Sequence, residues 1–388
     1  MSDAFNRLAT LAPEVVVVWP ETIAYSQLQI WESYFAHSTA TIAIIARNHA
    51  GKPRLESSVP TFFEDEDVFG IADLAALKSI KVVLYPTVRV RFRKFINALA
   101  DRVHVFIGHG DSDKASSSRS SARIFDAIFV ADQAAENRYP TNRMRSVEFV
   151  QIGAPLMDGL VAGARASVPT KILYAPTWEG YSDENNYSSL ATVAAHLESV
   201  CAGREVRVMP HPGTGKRLAS SKDALGVISG RLGDNGDMTK VDLFNWSDAM
   251  VTDISGVMSE YLATRKPIVL VNPGTEAFGS AIETSTMRAA VSVWNPAIDG
   301  FESALATAAG AELTEARTTA ADLKYRGAKQ SSDAWREFDS ALHRMIATAS
   351  AGQSAVRIAR KRLFKKNPIT AAKAVARFIL RRPNRPRS

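Results

Sequence analysis

Short apolar runs alternate with amphipathic stretches along most of this chain. Runs at 15–19, 41–47, 81–85, 103–107, 127–131 and 148–152 have strand length, with helical patterns between them, for example at 26–36 and 89–100. Strands alternating with helices predict a parallel sheet covered on both faces. Gly153, Pro155, Gly159, Gly163 and Pro169 mark 153–170 as a linker. The pattern then restarts, with strands at 171–175, 205–209, 249–252 and 267–271 and helices near 188–200, 243–248 and 255–265. Residues 299–349 are Ala-rich helical sequence with Trp335 and Phe338 as packing anchors. The expectation is an α/β chain of two Rossmann-like domains, 1–160 and 170–350, facing a cleft, with ligands at the carboxyl ends of strands.

Polar turns fall at those strand ends. His109-Gly110 follows 103–107, Pro176-Thr177-Trp178 follows 171–175, and His211-Pro212-Gly213 follows 205–209. Thr252-Asp253-Ile254-Ser255-Gly256 follows the apolar 249–251 and opens a helix. Backbone N–H groups and a hydroxyl at such a helix start stabilise an anion such as a diphosphate. Five residues past Ser255, Glu260 is in reach of the hydroxyls of an attached sugar. Glycines beside His109 let the backbone approach a ligand, and a near-neutral imidazole is a natural base for an alcohol proton. His211, stiffened by Pro210 and Pro212, is a candidate donor to a phosphate oxygen, with Lys216 or Arg217 adding charge. The bland alternatives are a turn histidine at 109, a surface loop at 211, and ordinary packing for Trp178 and Tyr181, which otherwise stack on a base or line a pocket.

Other chemistries find no support. Gly213-Thr214-Gly215-Lys216 lacks P-loop spacing, since Arg217 follows the lysine. There is no His/Cys cluster with zinc spacing and no Gly-x-Ser-x-Gly elbow, and Asp111-Ser112-Asp113 reads as a hydrophilic loop. At 388 residues, 46% hydrophobic and 22% charged, the chain has a globular composition and room for two cores. Cys201 is the single cysteine, which excludes an internal disulfide and fits a reducing compartment. No signal peptide is expected from the first residues, and the apolar runs are too short to span a membrane.

The net charge of +7 hides a division. Residues 354–388 hold 12 Lys or Arg and no acidic residue, leaving 47 − 12 = 35 basic against 40 acidic residues elsewhere, a net of −5. Ala372, Val375, Ala376, Ile379 and Leu380 fall on one side of a helix, so 354–388 is expected to be a basic amphipathic helical tail that associates with an anionic membrane surface. No aromatic-interleaved platform points to nucleic acid, and none is expected as a partner.

Taken in order, the motifs resemble the CDP-glycerol glycerophosphotransferase family of teichoic-acid synthesis. They are His109-Gly110 with Lys114, Gly153-Ala154-Pro155 with Asp158, Tyr174-Ala175-Pro176-Thr177-Trp178, His211-Pro212, and Thr252-Asp253-Ile254-Ser255 with Glu260. The chain departs from the family pattern at Ile254 and Gly256, where Tyr and a second Ser are usual. It departs also at Glu179, where Arg is common, and at Gly108, where an aromatic is common. The resemblance implies a GT-B fold and transfer of a polyol phosphate from CDP-glycerol or a related CDP-polyol to a hydroxyl of a lipid-linked glycan, releasing CMP. It implies His109 and His211 as catalytic residues. Gly110, Lys114, Pro176, Thr177, Thr252, Asp253, Ser255, Gly256 and Glu260 would form the donor site, with no metal or other cofactor. A peripheral enzyme on the cytoplasmic membrane face is expected. The alternatives are a GT-B glycosyltransferase using a nucleotide sugar and an inactive GT-B membrane scaffold.

Overall fold

A computed structural model gives the fold and describes residues 3–19, 26–46, 59–63, 70–88, 92–108, 120–163, 168–232, 235–328 and 330–351. The described residues form two compact units, one drawn from 3–108, 120–152 and 335–351 and the other from 153–334.

The first unit is built on a sheet of seven parallel strands. These are β1 (Val15–Trp19), β2 (Ile42–Ala46), β3 (Thr61–Phe63), β4 (Val82–Tyr85), β5 (Val103–Phe106), β6 (Ala127–Val130) and β7 (Glu148–Gln151). Their order is β3-β2-β1-β4-β5-β6-β7, the doubly wound arrangement that reverses beside the first strand. Val15 pairs with Ile42 on one side and Val82 on the other, and all of β1 is buried, as expected for a strand covered on both faces. Polar side chains also enter this core. His104 on β5 is fully buried, with Nδ1 2.9 Å from the Tyr85 hydroxyl and Nε2 2.9 Å from the Leu99 carbonyl. A carbonyl only accepts, so Nε2 carries the proton and Nδ1 accepts from Tyr85.

The chain returns to this unit at Trp335, within the helix Ser331–Ala351. Phe338, anticipated as an anchor, is buried among Trp31, Tyr34, Phe35 and Phe129, with ring centroids 5.5 to 6.0 Å away. Beside it, Asp339 accepts from the Ser38 hydroxyl at 2.6 Å and from Thr39 N at 3.0 Å and its hydroxyl at 2.9 Å.

The second unit holds β8 (Lys171–Ala175), β9 (Glu205–Val208), β10 (Ala249–Thr252), β11 (Ile268–Val271) and β12 (Ser292–Trp294) in a parallel sheet. The order β12-β11-β10-β8-β9 reverses at β8, so the carboxyl ends of β8 and β10 flank the switch point. Its core joins Ile172, Tyr174, Val206, Val251, Val269 and Trp294 to helix residues such as Val193, Ile228 and Phe301. Lys266 is buried before β11. Its ammonium donates to the carbonyls of Phe244, Asn245 and Ser247 at 2.9, 2.9 and 2.6 Å, closing the end of the helix Lys240–Trp246.

The periodicity located ten of these strands and missed β3 and β12, each three residues at a sheet edge. It also missed the helix Ala219–Leu232, and the helix expected near 188–200 is two, Leu190–Ala195 and Leu197–Cys201, parted at His196. The described residues include no helix long and apolar enough to cross a membrane, and the tail 354–388 lies outside them.

Phe338→Ala is expected to destabilise the first unit by about 3–5 kcal/mol, through lost transfer energy and the cavity left behind. Urea unfolding followed by hydrogen exchange in β1 and β6 measures it, and an unchanged midpoint would remove the helix from this core. Lys266→Met strands three carbonyls of the second unit and is expected to cost about 2–3 kcal/mol, read in the same way for β10 and β11.

Candidate functional site

The site is assembled in the second unit, on turns after three adjacent strands. Thr252 ends β10 fully buried, and its hydroxyl donates to the Ala175 carbonyl at the end of β8 at 2.8 Å. Asp253 comes next, also fully buried. Its Oδ2 accepts from Thr177 N at 2.7 Å and from Ser189 N at 3.3 Å. One carboxylate therefore joins the turns after β8 and β10 to the start of the helix Leu190–Ala195. The Tyr174 hydroxyl lies 2.9 Å from Ser189 Oγ. Burial and then the Asp253 charge push its pKa well up, outweighing that hydrogen bond, so the phenol stays neutral.

Pro176 and Thr177 are buried beside this joint. Ser255, also buried, caps the helix Gly256–Tyr261 by accepting from Met258 N at 3.2 Å. The helix is shorter than the 255–265 expected: after Tyr261 it tightens into a 3₁₀ turn, Leu262–Thr264. With only six residues, its end acts through local N–H groups more than through a long dipole. An added Cβ at Gly256 would meet no atom within 4 Å, so there is room for a side chain at that position.

Glu260 projects from the same helix, and its carboxylate is 2.9 Å from the ammonium of Lys240. Both side chains are partly exposed, at 22% and 34%, and such a pair is worth up to about 1 kcal/mol, little enough for a ligand to displace. Lys240 was not singled out in the sequence. Its signal is the capping box of Thr239 and Asp242, which starts a helix at that position.

His211 is exposed after β9. Gly213 N–H donates to Nδ1 at 2.9 Å, which puts the proton of the neutral ring on Nε2. The imidazole stacks on Trp178, centroids 5.8 Å apart and planes at 14°, and Trp178 meets the exposed Tyr181 edge-on at 4.7 Å. A Cβ at Gly213 would lie 3.0 Å from Nδ1 and 3.1 Å from the indole, so a glycine is what allows this stack. Glu179, noted in the sequence only as a departure, is fully buried beneath the same turn. Burial raises its pKa, but the N–H groups of Arg217, Leu218, Glu179 itself and Gly215 more than offset that, and the carboxyl lies below its ordinary range.

The structure thus brings together Pro176, Thr177, His211, Thr252, Asp253, Ser255, Gly256 and Glu260 on consecutive strand ends of one sheet. His109, Gly110 and Lys114 lie outside the described residues, which end before them at Gly108; its carbonyl accepts from the Trp31 indole at 2.8 Å. Among the described residues no group of three or more His, Cys, Asp or Glu has the arrangement of a metal site.

Residues 109–286 match the family model for CDP-glycerol:poly(glycerophosphate) glycerophosphotransferase. No curated protein matches the chain. Among solved structures, the wall teichoic acid polymerase TagF is similar at 15% identity, over 89% of this chain and 94% of that one, with a TM-score of 0.51. A TagF variant soaked with CDPG gives 13% identity, the same coverage and a TM-score of 0.50. An α,α-trehalose-phosphate synthase (UDP-forming) from Burkholderia vietnamiensis gives 16% identity, 87% and 99% coverage and a TM-score of 0.50. These likenesses show the fold, which is of the GT-B type. The family match takes in the stretch from His109 past Glu260, and over those residues the chain is similar to the CDP-glycerol glycerophosphotransferase family.

Proposed function

We propose that the protein transfers glycerol phosphate, or a related polyol phosphate, from a CDP-activated donor to a hydroxyl of a lipid-linked cell-wall glycopolymer. The acceptor oxygen forms a bond to the polyol-bearing phosphorus, the bond from that phosphorus to CMP breaks, and CMP leaves. His109 takes the acceptor proton. The Nε2–H of His211 donates to the diphosphate as charge builds on the leaving group, and Ser255 with the N–H groups of its turn holds the same phosphates. Glu260 exchanges its contact with Lys240 for the ribose hydroxyls, which frees the ammonium for a phosphate oxygen.

One observation carries this reading. Three of the motifs matched to the family in sequence order are gathered on neighbouring strand ends at the switch point of a single sheet, inside the matched residues. That TagF has been soaked with CDPG supports the donor class. The composition of residues 354–388, with 12 basic and no acidic residues, supports attachment to an anionic membrane surface, where a lipid-linked acceptor is presented.

CMP release from CDP-glycerol and CDP-ribitol, with a lipid-linked disaccharide acceptor, tests the reading. Acceptor-dependent release is expected from one of the two donors. His109→Ala and His211→Ala are each expected to lower kcat by about a hundredfold or more. Turnover of a UDP-sugar with neither CDP-polyol used would replace this reading with a glycosyltransferase. No turnover of any of these donors would favour a membrane scaffold.

A further inference from the structure

The turn that carries His211 is folded around a carboxylate of the chain itself. Glu179 Oε1 accepts from Arg217 N at 2.7 Å and Leu218 N at 3.1 Å, and Oε2 accepts from Gly215 N at 3.1 Å. The Glu179 carbonyl also accepts from the Arg217 guanidinium at 2.9 Å. Successive backbone N–H groups converging on an anion form the kind of concavity that elsewhere binds phosphate. Gly215, at φ +75°, allows the curvature, and a Cβ there would sit 2.8 Å from Lys222 Cβ. Here the anion is built in, so these amides serve to hold the turn.

The same turn sets the ring of His211. Gly213 N–H fixes Nδ1 as an acceptor, and Thr214 N donates to the His211 carbonyl at 2.9 Å. The stacking partner Trp178 immediately precedes Glu179. Two consecutive residues after β8 therefore grip His211, one by its ring and one through the turn.

We propose that Glu179 is a positioning residue for His211. Its carboxylate keeps residues 213–218 in the one form that seats the imidazole on Trp178 with Nδ1 accepting and the proton on Nε2. The consequence for activity rests on His211 holding the donor diphosphate, as in the proposed function. Gln cannot replace Glu here: it has one acceptor oxygen, and its NH₂ would face a third N–H donor.

The test uses the full chain labelled with ¹⁵N-histidine, with His211 assigned by its loss in His211→Gln. Ring shifts are recorded without donor between about pH 5 and 8, where histidine changes charge. Glu179 is ionised throughout that window. A carboxyl lowered in the folded state stabilises the fold above its ordinary value, and that contribution is lost only as pH falls through the lowered value. The native ring should show one tautomer, protonated on Nε2. Glu179→Gln should give averaged shifts of both tautomers, and kcat for CMP release from CDP-glycerol should fall about tenfold or more through misplacement of His211. Gly215→Ala leaves the Glu179 side chain itself unchanged but strains the turn that donates to it and should do the same; it carries the test if Glu179→Gln does not fold. Native ring shifts in both folded variants would overturn the proposal, even with a lowered melting temperature. Altered shifts in a protein that does not use CDP-glycerol would uphold the role of Glu179 and remove the donor reading alone.

Discussion

The buried Asp253 carboxylate is the constraint on which the strand-end turns of the second sheet depend. A carboxyl out of contact with water needs hydrogen-bond donors, and Asp253 accepts from the backbone N–H groups of Thr177 and Ser189. Those donors lie on segments that leave β8, while Asp253 itself leaves β10. The electrostatic demand of one carboxyl therefore ties together the two strands that flank the switch point. Thr252 adds a second tie through its hydroxyl to Ala175. Ser255 and the start of its helix, two residues further along the chain, are aimed from this joint.

Glu179 repeats the device one layer further out. Its carboxylate gathers three amides of the turn after β9, as Asp253 gathers those after β8. Both carboxyl groups are buried, and both accept from backbone N–H groups. Backbone N–H groups hold direction better than flexible lysines do. A site that must present hydrogen-bond donors at fixed points gains from being folded around its own fixed acceptors. Arg217 strengthens the arrangement, reaching both the Glu179 carbonyl and the Asp183 carboxylate.

These features were unequally visible in the sequence. The central strands were legible because parallel strands covered on both faces read as unbroken apolar runs, and β1, β4 and β10 are buried throughout. Edge strands β3 and β12 lack the length that makes such a run. The helix Ala219–Leu232 contains Gly226 and Gly230, fully buries only Ser221 and Ile228, and packs Ala224, Leu225 and Leu232 on the core only in part, so its apolar stripe is narrow and broken by glycine. Thr177, His211 and Ser255 were found because each follows a strand. Glu179 was visible only as an unexpected residue after Trp178. Its partners are amides 36 to 39 positions later, and a backbone donor leaves no mark on residue identity. The pairing of Lys240 with Glu260 was hidden for a related reason, since 20 residues and a strand separate them.

The division of charge gives these fixed donors their importance. Outside 354–388 the chain has a net charge of −5, so the body as a whole does not attract an anion. An anionic ligand must then be held by what is close at hand, and directed N–H groups act at short range with little loss to salt. A neutral His211 with its proton on Nε2 suits this setting. Such a ring can donate to an oxygen without first acquiring a charge, and the stack on Trp178 and the contact from Gly213 N–H hold its orientation. The long-range positive charge sits at the other extreme of the chain, in a segment free of acidic residues. Attraction to a negatively charged surface and recognition of a small anion thus need not share residues, and the binding turns can be built for geometry alone.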